Sequence, residues 1–551
     1  MDRKQKVLMV NEFSYLSTGY STYGRELLTR LHNSGKYEVA EFATYIDHED
    51  QRLQSIPWTV FCNAPVNGNS PNFSQEEQDR YNSNPVNAFG AWRFEDVCLS
   101  FKPDIVFDIR DFWMMSFESD SPFRNNFKWA IMPTVDASPQ NEQWLSTYCS
   151  ADSVLTYQDW SGKVLEDETG GKCNWRGSAS PAAADCFIPM SNRTQIKESL
   201  GLGPDVKVIG TVMRNQRRKL YPELFAAFRQ YLDQTGDSNT VLYCHTSYPD
   251  RGWDIPYHIM KNELSSKVFF TYVCGSCGLS YGCTFQDAKT RCPNCGGSET
   301  GLSNVKRGVQ PERLAEIYNM FDVYVQYATC EGFGIPMVEA AACGVPVMAT
   351  DYSAMSDVVR KVNGFPIPVK MLYCEMETGC NRAYSDGDEF VKLLTDFFSM
   401  PTSMRDSKRM QARIGYVNNY SWDKTAEKWM EVFDSLGYGD WDSPARIQNP
   451  AEPNDQLQNM TNSQYAKWLI ANVLCEPERM NSYMFTRLVR DLNYEAFIEG
   501  VGGLYFNEQS FIFSQGQYQQ FNREIAYNQM AHLCHRRNQW EQKRLETVKA
   551  K

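Results

Sequence analysis

The sequence predicts an α/β protein: two doubly wound parallel sheets facing one another, a small metal-binding insertion, and a helical module near the C-terminal end. Three observations predict it. Short apolar strands alternate with helical patterns twice over, once within residues 1–190 and again within 191–437. Two Cys-x-x-Cys pairs interrupt the second alternation. Beyond Gly437 the apolar period becomes helical.

In the first unit, Val7-Leu8-Met9-Val10 reads as a buried strand. A polar, glycine-containing loop follows, from Ser14 to Tyr23, then a helix from about Tyr23 to Leu31. Residues 103–108, 129–133 and 153–157 are further strands. The stretch from Asn63 to Asn87, rich in Asn, Pro, Ser and Gly, reads as an irregular insertion. Small, turn-forming residues over 178–184 separate the units. The second unit opens with a strand over 206–212 and continues with strands at 241–244, 267–272, 322–326 and 345–349. A helix over 425–436 closes it. Residues 438–462, rich in Pro, Asn and Asp, read as a linker, and 463–551 as a helical extension with its own apolar positions, such as Trp468, Leu469, Val473 and Leu474.

A length of 551 residues suits two to four domains, and 42% apolar residues supply real cores. The net charge of −12 argues against a nucleic-acid coat protein, while leaving room for a local basic patch. There is no apolar run of bilayer-spanning length, and the N-terminus leads straight into a strand without a signal-peptide pattern. The expectation is a soluble, cytoplasmic protein. Most of the 17 cysteines are scattered in apolar segments and read as reduced core residues.

The run Glu331-Gly332-Phe333-Gly334-Ile335-Pro336-Met337-Val338-Glu339 carries the most chemistry. It follows a buried strand and precedes small helical residues, Ala340-Ala341-Ala342. A strand–glycine turn–helix start aims several backbone N–H groups at one point, which suits a diphosphate. Glu339 is expected about two turns along the helix, beside that point. After the first strand of the second unit comes Met213-Arg214-Asn215-Gln216-Arg217-Arg218-Lys219, a cluster of cations. A cluster of cations there suits an anionic group such as a phosphate. Arg217 and Arg218 read equally well as solvated.

Together these motifs resemble the retaining GT-B glycosyltransferases of the large family 4 group, over about residues 1–437. Glu331 and Glu339 match that family's Glu-x7-Glu signature, and 345–350 its next strand. Phe187-Ile188-Pro189 resembles the end of its first domain, and Ser421-Trp422 the entry to its last helix. The resemblance implies two facing Rossmann-like domains, a UDP- or GDP-sugar as donor, and metal-independent transfer with retention. It implies Glu331 at the sugar hydroxyls and Glu339 at the ribose, where a carboxylate accepts two hydrogen bonds from a diol. Backbone amides of Gly332, Phe333, Gly334 and Ile335 would face sugar and phosphate, and Arg214 and Lys219 would grip the diphosphate. Gly19, in Ser17-Thr18-Gly19-Tyr20-Ser21, matches a loop that approaches phosphate and acceptor, although a plain turn explains it nearly as well. Asp136 falls near a position where many members carry histidine. It reads either as an acceptor-orienting carboxylate or weak base, or as a helix N-cap. His245, ending a strand, reads either as a sugar contact or as a satisfied core histidine.

Cys274-Gly275-Ser276-Cys277 and Cys292-Pro293-Asn294-Cys295 form two knuckles fourteen residues apart. Four thiolates fit a closed tetrahedral site, so structural Zn2+ is expected in a ribbon spanning about 272–300. The ribbon reads as a staple for a long loop or as a contact for a large acceptor. The segment His535-Arg536-Arg537-Asn538-Gln539-Trp540-Glu541-Gln542-Lys543-Arg544 is basic with an aromatic. Basic surfaces suit phosphate backbones, though such a run is also an ordinary solvated helix face. Three readings of function follow. The first is transfer to a large acceptor such as a hydroxymethylated base in DNA, as some phage glycosyltransferases do. The second is transfer to a surface polysaccharide, glycolipid or protein. The third is a non-catalytic binding protein, against which the intact Glu331, Glu339, Arg214 and Lys219 argue.

Overall fold

The structure, a computed structural model, describes residues 3–16, 18–286, 291–304, 307–444, 446–476, 485, 488, 489, 492 and 523–549. Seven parallel strands build the first sheet: β1 (Gln5–Glu12), β2 (Tyr37–Thr44), β3 (Thr59–Cys62), β4 (Ile105–Asp108), β5 (Lys128–Ile131), β6 (Ser153–Thr156) and β7 (Trp175–Ser178). Their order is β3-β2-β1-β4-β5-β6-β7. Strand alternation sends Val7 and Met9 into one core and Leu8 and Val10 into the core on the other face. A sheet buried on both faces is what continuous apolar strands require.

The second sheet contains β8 (Lys207–Val212), β9 (Thr240–His245), β10 (Val268–Cys274), β11 (Ser280–Thr284), β12 (Thr300–Leu302), β13 (Val323–Gln326), β14 (Val347–Thr350) and β15 (Phe365–Ile367). Its order is β11-β10-β9-β8-β13-β14-β15, with β12 also paired to β10. The antiparallel partners of β10 are the ribbon strands β11 and β12. A separate hairpin, β16 (Val369–Cys374) and β17 (Asn381–Ser385), belongs to neither sheet.

In each sheet the strand order reverses beside its first strand: at β1/β4 in one and at β8/β13 in the other. Ligands of open parallel sheets bind outside the carboxyl ends at such a reversal. One apolar core joins the units, running from Val7 and Phe107 through Trp429 and Phe433 to Met337 and Val338. The helix Trp422–Leu436 follows the second sheet in sequence but packs on the first. Trp429 Nε1 donates to the Tyr23 hydroxyl at 2.8 Å, and Arg30 pairs with Asp423 at 2.7 Å.

Three strands of the first sheet escaped the sequence reading, β2, β3 and β7, as did β11, β12, β15 and the hairpin β16–β17 further along. Charged Glu38 and Glu41 interrupt the apolar run in β2. Glu41 is nevertheless buried, accepting from Ser14 N at 2.7 Å and Trp58 Nε1 at 3.1 Å. The expected irregular insertion at Asn63–Asn87 is corrected in part. Its second half holds a helix, Gln75–Asn82, capped by Ser74 with Glu76 and Glu77 in the first turn, and a 3-10 turn, Pro85–Phe89, capped by Asn84.

Past Gly437, the backbone N–H of Gly439 donates to Asp104 at 2.9 Å, and buried Trp441 donates to the Pro103 carbonyl at 2.7 Å. The stretch expected as a linker therefore begins as a strap on the first sheet. Beyond it, helical structure is described over Asn462–Trp468, Leu469–Val473 and Arg523–Lys549. The last helix docks on the first unit, with Trp540 against Phe123 (ring centroids 5.9 Å apart) and Arg536 paired with Glu95 at 2.6 Å. Among the described residues, no helix is long and apolar enough to cross a membrane.

Candidate active site at the facing strand ends

After β8 the chain turns through Arg214 and Lys219. After β13 it turns through Glu331. Backbone hydrogen bonds tie the two turns together: Thr329 N to Arg218 O at 2.8 Å, and Leu220 N to Tyr327 O at 3.0 Å. This pairing sets Lys219 against Glu331, in direct contact and both buried. Arg218 reaches the other carboxylate oxygen at 3.5 Å, and Gln326 donates to Glu331 as well. Burial, and after it the neighbouring Arg218, pull the Lys219 ammonium well below its ordinary value. A buried pair joined to a third polar group is a fixed charge arrangement rather than a solvated one.

Arg214 takes a different partner. Its guanidinium forks onto Asp250 at 2.7 and 3.0 Å, and its side chain is 51% exposed. The same fork holds the Asp250 carboxyl down at about 2. Thus Arg218, which read equally well as solvated, completes the Lys219–Glu331 cluster, while Arg214 stands beside it.

The glycine turn is shaped by two constraints. Gly334 caps the helix Ile335–Ala342 at φ +93°, a left-handed conformation that disfavours any side chain. Gly332 faces the first unit, and a Cβ there would lie 2.4 Å from Thr134 Cγ2. The Glu331 backbone N–H donates to Ser353 Oγ at 3.0 Å. Because the helix begins only at Ile335, Glu339 lies one turn along it rather than two. Its carboxylate accepts from the Tyr318 hydroxyl at 2.8 Å, and burial pushes it up to about 7.

The first unit approaches from the opposite side. Gly19 opens the helix Gly19–Asn33, behind the Thr18 N-cap, and comes within 3.7 Å of Ile335 Cδ1 measured from a Cβ built on it. The Tyr20 hydroxyl bonds Thr134 Oγ1 at 2.9 Å. Phe333 packs on Tyr157, centroids 6.3 Å apart. Asp136 Oδ1 meets Arg382 at 2.9 Å and its Oδ2 accepts from the Cys330 thiol at 3.3 Å. The N-cap alternative for Asp136 fails, because Asn141 caps the helix that follows. A second carboxylate, Asp111, stands at the N-cap of the helix Phe112–Ser119 without capping it. Burial raises it to about 6, and its neighbours are Tyr20, Thr134, Asp136 and Arg218.

His245 ends β9 with both ring nitrogens engaged, Nδ1 to Thr271 Oγ1 at 3.0 Å and Nε2 to Ser303 Oγ at 3.4 Å. Burial lowers it to about 4, so it is neutral at pH 7. Sequence reasoning left Arg218 open between site and solvent, and did not single out Tyr318, Gln326, Thr134, Asp111 or Arg382, which the fold brings to the same strand ends. Gln326 left a trace, being the polar end of an apolar strand. Arg382 left none, since only tertiary folding brings it to Asp136.

The four ribbon sulfurs lie within 4.8 Å of one another, with Cys274–Cys295 and Cys277–Cys292 both at 3.6 Å. A tetrahedron of about 2.3 Å Zn–S bonds has edges of about 3.8 Å, so this donor set fits the ion. Each knuckle is closed by backbone bonds, Gly278 N to Cys274 O and Gly296 N to Cys292 O, both 2.9 Å.

Residues 301–389 match the family described as Glycosyl transferases group 1. A D-inositol 3-phosphate glycosyltransferase of Rhodococcus erythropolis is 29% identical over 123 residues, 22% of this chain and 24% of that protein. A lipopolysaccharide core biosynthesis mannosyltransferase of Rhizobium meliloti is 28% identical over 180 residues, 31% of this chain and 39% of that protein. The chain spans about a quarter of the length of the first curated relatives it matches. Among solved structures, the sucrose-phosphate synthase of Thermosynechococcus elongatus superposes with a TM-score of 0.57 at 17% identity, covering 79% of this chain and 99% of that one. Anabaena HepE in complex with UDP and glucose superposes at 0.55 and 14% identity, covering 78% and 100%. The fold is of GT-B type: two facing α/β units with parallel sheets, here with a helical C-terminal region.

Proposed function

We propose that this chain is a retaining glycosyltransferase that moves a sugar from a UDP- or GDP-sugar to a hydroxyl of a large acceptor. The observation that carries the reading is the buried contact of Lys219 with Glu331, with the more exposed Arg218 beside it, at the strand ends of the second sheet, facing Thr134 and Asp136 of the first. Glu331 orients the sugar hydroxyls, and Glu339 accepts from the ribose diol. Lys219, with Arg218 and Arg214 beside it, balances the diphosphate charge as the sugar–phosphate bond breaks. Amides of Gly332–Ile335 add fixed dipoles. The acceptor oxygen bonds the anomeric carbon on the face the phosphate leaves, and its proton passes to that departing phosphate oxygen. No metal takes part in this chemistry. Gly19 and Asp136 border the acceptor side, and neutral His245 borders the same ends of the second sheet. Zn2+ on Cys274, Cys277, Cys292 and Cys295 would hold the ribbon shut.

A hydroxymethylated base in DNA remains the acceptor favoured by the ribbon. The basic tail lends it less than the sequence promised. Arg536 pairs with Glu95, Arg537 donates to the Leu474 carbonyl, and Arg544 is buried against Glu541. A second reading, transfer to a surface saccharide, glycolipid or protein, draws on the matched relatives. Besides those above, they include a peptide N-acetylglucosaminyltransferase subunit of Streptococcus parasanguinis.

The test is a panel of UDP- and GDP-sugars, scored for nucleotide release with hydroxymethylated DNA, plain DNA and no acceptor. Release that Glu331→Ala reduces more than a hundredfold supports the reading. Absence of turnover with every donor, or full turnover in Glu331→Ala, overturns it. Lack of DNA binding at low salt removes DNA as the acceptor.

A further inference from the structure

The hairpin β16–β17 pairs with neither sheet, yet it touches both units. On one side Ala383 N donates to the Thr329 carbonyl at 3.0 Å, two residues before Glu331. On the other, Asn381 N donates to the Ser138 carbonyl at 3.1 Å, two residues after Asp136. Cys380 is fully buried within the core of the first sheet. Tyr352 bridges the same junction, its hydroxyl donating to Asn381 O at 2.6 Å and accepting from Ser138 N at 3.4 Å.

At the centre of this junction is Arg382, buried and fully engaged. Its Nη1 meets Asp136 Oδ1 and Cys330 Sγ, each at 2.9 Å. Its Nε and Nη2 fork onto Glu375 Oε2 at 3.0 and 2.7 Å. Glu375 is itself fixed by Thr378 Oγ1 at 2.7 Å. The planar guanidinium therefore joins three elements: the hairpin through Glu375, the turn leading to Glu331 through Cys330, and the β5 loop through Asp136. A lysine offers charge but no such fork.

We propose that Arg382 is a positioning residue that sets the acceptor-side loop 132–140 against the donor-side turn 329–335. This deepens the glycosyltransferase reading and, for its kinetic consequence, rests on it. The groups assigned to the nucleotide (Glu339, Lys219, Arg214) lie on the second unit alone and do not need the junction. Alignment of the acceptor with the sugar needs both units. Loss of Arg382 should therefore lower turnover and leave nucleotide affinity alone, a split that general unfolding would not produce.

The test uses the full chain with Arg382→Ala and Arg382→Lys. Hydrogen exchange should quicken at least tenfold for amides of 134–138 in Arg382→Ala, with amides of 214–220 at wild-type rates. Affinity for UDP and GDP should stay within twofold, while turnover of the accepted nucleotide sugar falls about thirtyfold or more, with partial recovery in Arg382→Lys. Should Arg382→Ala not fold, Asp136→Ala removes the same contact from the other side and should give the same exchange pattern. Unchanged exchange at 134–138 in a folded variant, or parallel loss of nucleotide affinity and turnover, overturns the proposal. The exchange arm needs no catalysis, so it stands even if no nucleotide sugar is turned over and the functional reading falls.

Discussion

Gly332 and Thr134 meet across the cleft with no room between them: a methyl on residue 332 would sit 2.4 Å from Thr134 Cγ2. The close approach needs a bare backbone on one side, and it sets the separation of the units at the glycine turn. Gly332→Ala should destabilise the protein by about 1–3 kcal/mol, the usual cost of overpacking, and cut turnover. Thr134→Ser removes the offending methyl and keeps a hydroxyl for Tyr20. The double variant should regain most of the loss, read by thermal unfolding and turnover.

Lys219→Ala should lower turnover by about 10²–10³, the usual effect of removing a fixed charge from a transition-state site. It also leaves Glu331 buried without its ammonium. Stability should therefore drop by about 3–5 kcal/mol, as when one partner of a buried pair is removed. Turnover and denaturant unfolding together check both effects. Lys219→Ala with wild-type turnover would remove the lysine from the site.

Glu339 gives a pH signature. Burial raises it to about 7 in the folded protein, above its ordinary value of 4.5. Between those values the folded state holds the proton that the unfolded state has lost. Its contribution to stability therefore falls as pH rises from about 4.5 to 7. Affinity should run the other way, because only the carboxylate accepts two hydrogen bonds from the ribose. Binding of the accepted nucleotide sugar, measured by calorimetry, should strengthen from pH 6 to 8 and become flat in Glu339→Gln.

The purified protein should contain one zinc ion per chain. Cys292→Ser should lose it, and chelation should lower the unfolding temperature. Intact folding with no metal in the preparation would remove the ion from the ribbon.

Arg544 donates to the carbonyls of Trp441 and Ser443 at 2.6 and 2.8 Å and pairs with Glu541 at 2.8 Å. Arg544→Ala should destabilise by about 3–5 kcal/mol through the buried Glu541 left unpaired. Any DNA affinity should be unaffected, which a gel shift across salt would show.

Much of this was legible beforehand because it is local. The continuous apolar run at 7–10, the glycine turn at 331–335 and the cysteine knuckles each declare themselves within a few residues. What was hidden depends on contacts between distant segments. Glu41 made β2 look too polar for a strand, since its partners Ser14 and Trp58 lie on other elements, 27 and 17 residues away. Arg218 could not be told from a solvated cation until the β8 and β13 turns were seen to pair. The tail cations read either as phosphate-binding or as a solvated helix face, and only the fold brings Glu95 to Arg536 and the carbonyls of Trp441 and Ser443 to Arg544. Asp136 looked like a candidate base, and only the hairpin shows that Arg382 and Cys330 take up its oxygens.

The chain passes between the units twice, and the passages lie side by side. Thr425 Oγ1 donates to the Ser180 carbonyl, the Tyr416 hydroxyl to the Ala183 carbonyl at 3.5 Å, and Arg413 to the Phe187 carbonyl at 3.3 Å. A body stitched twice along one line has a spine. Ala183, Phe187, Tyr420 and Trp422 along it belong to the apolar core that the two units share, so the seam is sealed by burial as well as by the stitches.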